Sequence, residues 1–118
     1  MKRDLDLIRK ILFKVEEKAD PTPEFDLKID DYPQEIINYH IVLMNEAGLL
    51  IGGAEELSDG SYVIAYVSRL TWEGHEFLDS IRDISLWNKA KNLISEKAKG
   101  IPFEILKSLL IKIISDNV

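Results

Sequence analysis

His75 and Asp79 stand four residues apart, a spacing that puts an imidazole and a carboxylate on one face of a helix, where they could share a metal ion. One histidine and one carboxylate make a weak site. The second histidine that a metalloprotease helix needs is missing from His75-Glu76-Phe77-Leu78-Asp79. A capping or ion-pair role, with Arg82 as partner, is the favoured reading. His40 falls on a mostly apolar helix and reads as a packed or hydrogen-bonded histidine at the edge of the core. The carboxylate pairs Asp30-Asp31 and Glu55-Glu56 would do general acid–base work only if one member were buried with a raised pKa. Adjacent carboxylates in turns are ordinarily solvated. Trp72 and Trp87 read as hydrophobic anchors, under a hairpin and between the last helices, because base stacking calls for flanking cations. The chain has no cysteine, which removes disulfides, zinc fingers and cysteine nucleophiles together. It has no phosphate loop, dinucleotide fingerprint or serine elbow. The expectation is a non-enzyme with no catalytic residue, cofactor or metal.

The elements that carry these residues follow from periodicity. Residues 4–19 form an amphipathic pattern with Asp4 as cap and Leu5, Ile8, Ile11, Leu12, Val15 and Ala19 as its apolar stripe. Asp20-Pro21-Thr22-Pro23 ends it, since proline restricts the residue before it. Phe25 to Ile29 alternates like a short strand. A second helix is expected from Pro33 to Ala47, closed by Gly48 in the left-handed conformation. Leu49-Leu50-Ile51 opens a strand that Gly52-Gly53 could bulge. Ser58-Asp59-Gly60 turns it into a second strand over 61–68. Thr71 then caps a helix, and a further helix runs from Ile84 to Lys99 after a break near Asp83. Gly100 and Pro102 introduce a last helix that is apolar over most of its circumference.

Length and charge bound the rest. The 118 residues fit one domain with 46% hydrophobic content, enough to bury roughly two-thirds of the unfolded surface without staples. Met1-Lys2-Arg3 is followed by Asp4 and Asp6 rather than an apolar run, so no secretory leader is expected. No stretch reaches the ~20 apolar residues of a membrane span. A cytoplasmic protein with no membrane partner is the expectation. The net charge of −6 is uneven. Residues 1–19 carry six Lys/Arg against four Asp/Glu, residues 20–83 carry three against fourteen, and residues 84–118 carry six against three. An acidic middle repels phosphate backbones.

Helix, hairpin and helix in that order read as winged-helix-like. The phrase His40-Ile41-Val42-Leu43-Met44-Asn45-Glu46-Ala47-Gly48-Leu49-Leu50 resembles the end of a winged-helix recognition helix in bacterial regulators. Leu70-Thr71-Trp72-Glu73-Gly74 resembles the strand-to-helix junction after the wing. Residues 1–90 are also similar to an uncharacterised family of small bacterial and prophage proteins. Their openings are like Met1-Lys2-Arg3-Asp4-Leu5-Asp6-Leu7-Ile8-Arg9-Lys10-Ile11-Leu12. They share a later phrase like Arg69 to Asp83. That likeness implies a phage or prophage connection and no particular activity.

These readings predict an α+β fold: a winged-helix-like domain over 1–83 (N-terminal helix, helix, β-hairpin wing, helix) and a helical C-terminal extension over 84–118, packed on it or dimerising. The predicted function is a non-enzymatic protein-interaction module, with a protein partner or homodimer. Its interaction helix would present Phe103, Leu106, Leu110 and Ile113. The alternative is a DNA-binding transcriptional regulator reading bases with Gln34, Asn38 and Tyr39, beside a wing of Asp59, Gly60, Ser61 and Tyr62. Two departures weaken that alternative. Residues 20–32 leave little room for the helix that precedes a recognition helix, and residues 34–48 contain no Lys or Arg.

Overall fold

The computed structural model describes residues 2–95 together with 108, 111 and 112. It is a mixed α+β structure. Phe103, Leu106, Leu110 and Ile113 of the expected interaction helix lie outside the described residues. The chain forms two compact units, residues 1–75 and 76–118.

The first unit opens with α1 (Leu5–Glu16). Asp4 is its N-cap in an extended conformation, and its Oδ1 accepts the Leu7 N–H at 3.1 Å, satisfying a donor that the first turn leaves over. Leu7, Ile8, Ile11, Leu12 and Val15 are buried, each side chain contributing roughly 1.5–3 kcal/mol. Leu7 takes the place expected of Leu5, which is half-buried, and the helix stops before Ala19, which is exposed. An Asx turn explains the early stop: the Thr22 N–H donates to Asp20 Oδ1 at 2.9 Å, and Pro21 and Pro23 bar continuation.

The expected strand over 25–29 shrinks to β1 (Glu24–Phe25). Asp26 adopts φ 53° and Asp31 φ 71°, left-handed conformations that asparates tolerate in turns and that no strand accepts. Leu27 is nonetheless buried. Residues 26–33 form no helix.

Next comes α2 (Gln34–Glu46). Pro33 sits one position earlier than expected, as an extended N-cap rather than a first-turn residue. The other end matches expectation in detail. Gly48 has φ 76°, the Gly48 N–H donates to the Asn45 carbonyl and the Leu49 N–H to the Met44 carbonyl at 2.9 Å. This is a Schellman turn, completed by the buried Leu49.

The turn feeds directly into β2 (Leu50–Glu56), which pairs antiparallel with β3 (Tyr62–Leu70). β1 pairs with the other edge of β3, giving a three-stranded sheet in the order β1-β3-β2. The register shifts between Ile51 and Gly52 and again between Ala54 and Glu56. At the first shift the extra residue is Ser68 on β3, while Gly52 and Gly53 stay in register with Val67 and Tyr66, so the irregularity falls on the strand opposite the glycines expected to bulge. A Cβ on Gly52 would come within 2.5 Å of the Tyr66 carbonyl oxygen, which only glycine avoids. The hairpin closes through Leu57 N–H to the Ser61 carbonyl at 2.7 Å, with Gly60 at φ 88°.

Thr71 caps α3 (Trp72–Ser80) as its position predicts. Its Oγ1 accepts the Gly74 N–H at 3.0 Å and donates to the Gly48 carbonyl, while its own N–H donates to the Leu49 carbonyl at 3.1 Å. The junction after the sheet is therefore clamped to the turn before it. Trp72 differs from expectation: it is 76% exposed rather than an anchor under the hairpin.

In the second unit, Asp83 Oδ1 accepts the N–H groups of Ser85 and Leu86 and starts α4 (Ile84–Ser95). The break expected near Asp83 is this cap. Phe77, Leu78, Ile81, Trp87 and Ala90 are buried. Among the described residues no helix is long and apolar enough to cross a membrane.

Candidate interaction surface

Strand alternation decides what β3 shows on each side. Ala65 and Val67 point into the core and are buried, whereas Ile64 and Tyr66 point outward and remain 43% and 37% exposed. Tyr66 pairs with Phe25 of β1 on one side and Gly53 of β2 on the other. Phe25 is 60% exposed, and its ring lies 6.0 Å from that of Tyr66 at a 47° tilt. A Cβ on Gly53 would sit 3.3 Å from Tyr66 Cε1, so the absence of a side chain leaves room for the ring. Phe25, Gly53, Ala54, Glu55, Ile64 and Tyr66 together line one shallow groove on the outer face of the sheet. Ile51, on the same strand as Gly53, is also exposed. A single exposed apolar residue means little, and a contiguous group of them on one face is where a docking surface is sought.

Sequence reading missed this surface. The signal is present in Tyr62-Val63-Ile64-Ala65-Tyr66-Val67, where both phases of the alternation are apolar or aromatic. A half-buried strand would carry polar residues on one phase, and a strand apolar on both calls for cover on both sides.

The residues assigned to a base-reading surface lie elsewhere. Asn38 is buried, at 1% exposure, on the inner side of α2. Its Oδ1 accepts from Gln34 Nε2 at 2.8 Å. The Gln34 amide also donates to the Leu27 carbonyl at 3.0 Å and accepts from Lys28 Nζ at 2.7 Å. The Gln34 amide thus ties α2 to the segment before it, and Asn38 holds that amide in place. Tyr39 is half-buried and stacks on Tyr62 with ring centres 6.3 Å apart. Burial, then the charges of Glu56 and Glu46, push the Tyr62 phenol above its ordinary value, so the base of the hairpin is an anionic setting. At the tip, Asp59 Oδ1 accepts from the Ser61 hydroxyl at 2.7 Å and from the Ser61 N–H at 3.0 Å, which holds the Asp59 carboxyl below the usual carboxylate range. Asp59, Gly60, Ser61 and Tyr62 are therefore one hairpin turn and its base.

Two of the remaining chemical candidates, His40 and Asp79, make structural contacts. His40 is fully buried. Its Nδ1 lies 2.8 Å from the Ile36 carbonyl and its Nε2 2.8 Å from the Asp4 N–H. A carbonyl on one side and an N–H on the other require the neutral ring with its proton on Nδ1. His40 thereby fastens α2 to the cap of α1. Tyr32 sits beside that junction, where burial, the Asp4 charge and a hydrogen bond to Asp4 raise its phenol above the ordinary value. Asp79 receives Arg82 at 2.8 Å, the ion pair anticipated for it. Asp30-Asp31 and Glu55-Glu56 are solvent-exposed. Among the described residues no three His, Cys, Asp or Glu side chains converge on one point as metal ligands do.

A protein-family profile described as "Hypothetical protein (DUF2513)" matches residues 2–101. An uncharacterized protein of Haemophilus influenzae is 34% identical over 116 residues, covering 98% of this chain and 97% of that one. No solved structure matches.

Proposed function

We propose that this chain, which belongs to the DUF2513 family of hypothetical proteins, is a non-enzymatic protein-interaction module that docks a partner on the outer face of its sheet. The observation that carries this reading is the groove of Phe25, Ile64 and Tyr66, three large apolar side chains held side by side and open to solvent on a hydrogen-bonded sheet. Rigid strands present them at no ordering cost, which is how a docking site gains affinity. The scaffold is winged-helix-like: α2 runs through the Gly48 turn straight into the β2–β3 hairpin, and β1 completes the sheet. The absence of a helix over 26–33 sets it apart from a helix-turn-helix reader. A phage or prophage connection rests on the likeness of the Met1–Leu12 and Arg69–Asp83 phrases.

The regulator reading draws support from the helix-into-hairpin order alone, and fold order does not fix function. The charges argue the other way. The exposed α2 residues Glu35 and Glu46, with Glu56 beside Tyr62, would meet DNA phosphates with like charge. Fluorescence anisotropy with a mixed-sequence duplex, from low to physiological salt, separates the readings. No binding at low salt is expected. Binding that weakens steeply as salt rises would overturn the interaction-module reading in favour of a DNA-associated one.

A further inference from the structure

The charges around the groove narrow the partner. Glu55 is one of the residues lining it, and the exposed Asp26 and Glu56 flank Phe25 and Glu55 in sequence. Glu24, beside Phe25, is approached by Lys18 at 3.9 Å, so its charge is partly offset. Among the described residues, no cation lines it. The rings of Phe25 and Tyr66 add a second preference of the same sign, because aromatic faces attract cations. A carboxylate beside two aromatic rings and an isoleucine suits a side chain with an apolar stem and a positive head, which describes Lys and Arg. A second copy of this face fits poorly, since a two-fold contact would bring acidic rim onto acidic rim.

Resting on the docking function proposed above, we infer that the occupant is a protein segment carrying Lys or Arg next to aliphatic or aromatic residues, its apolar side chains on Ile64 and Tyr66 and its cation at Glu55. Gly53 and Ala54 keep the floor of the groove low enough to admit such a side chain.

A random-peptide library displayed on phage, selected on the full-length protein, tests this. Enriched peptides are then measured against the wild type, Ile64→Asp and Glu55→Lys, each variant first shown to be folded by its thermal transition. Enriched peptides with net positive charge are expected, losing roughly tenfold or more in affinity on either variant, about 1.4 kcal/mol per decade. Peptides that depend on Ile64 but are neutral or acidic, and indifferent to Glu55→Lys, would overturn the cationic partner while leaving the docking face intact. If no enriched peptide distinguishes Ile64→Asp from wild type, the docking face itself is wrong and both readings fall.

Discussion

Gly74→Ala probes the clamp between the turn after α2 and the start of α3. A Cβ at position 74 would lie 1.9 Å from the Leu49 carbonyl oxygen and 2.9 Å from its carbon. Both are backbone atoms, so no side chain can swing aside. Leu49 is itself pinned, its N–H bonded to the Met44 carbonyl and its carbonyl bonded by the Thr71 N–H. The strand and helix must therefore separate. Forced overpacking costs about 1–3 kcal/mol, and each backbone or hydroxyl hydrogen bond lost with the clamp adds about 1 kcal/mol. Replacing glycine by alanine returns at most about 1 kcal/mol of helix propensity. The net loss is about 2–4 kcal/mol. At ~2.1 cal/mol/K of unfolding entropy per residue, a chain of this length melts about 4 °C lower per kcal/mol, so the expected fall in Tm is about 8–16 °C. Circular dichroism on heating, with a urea titration to confirm an unchanged slope, reads it. Gly48→Ala is the control: nothing lies within 4 Å of its Cβ, and only the positive φ is strained, for about 1–2 kcal/mol. A Gly74→Ala protein as stable as wild type, or less affected than Gly48→Ala, would refute the clamp.

Three further outcomes are expected. His40→Phe keeps a ring in the same place but takes the acceptor from the Asp4 N–H, so the urea midpoint should fall by the equivalent of about 1–3 kcal/mol. Ile64→Asp, partly exposed on the central strand, should lower the melting transition by the equivalent of about 1 kcal/mol, small enough to leave a folded protein usable as a binding variant. Asp20 and Asp59 are held below the ordinary 3.8 by hydrogen bonds from Thr22 and Ser61. Their contribution is present above that value and is lost as pH falls through their folded values. Urea midpoints measured between mildly acidic pH and pH values well below the carboxylate range should therefore decline, and Asp59→Asn should flatten that decline.

Local signals with one physical solution were legible in the sequence. Asp4, Gly48, Asp59-Gly60 and Thr71 each have a cap or turn role set by backbone chemistry within a few residues. The structure places each as expected. Features set by tertiary geometry were not legible. Asp26 in the left-handed region ends β1 after two residues, although the alternation of Phe25 to Ile29 continues beyond it. Asn38 reads as a polar surface residue until Gln34 is found bonding it from one turn earlier. Trp72 reads as core by its size, yet the helix started by Thr71 directs it outward. The candidate site itself was overlooked because Ile64 and Tyr66 look like ordinary strand residues. Only the register, which sets Phe25 and Gly53 on either side of Tyr66, shows that they share an open face.

The central claim, that this outer face meets a protein partner, is tested most directly by site-specific photocrosslinking. A photoreactive phenylalanine analogue at position 64 of the full chain, and separately at the exposed Glu35 of α2, reports contact in living cells. The account predicts a discrete protein adduct from position 64 and none from position 35. Adducts from position 35 alone, to protein or nucleic acid, would contradict it and move the functional surface to α2.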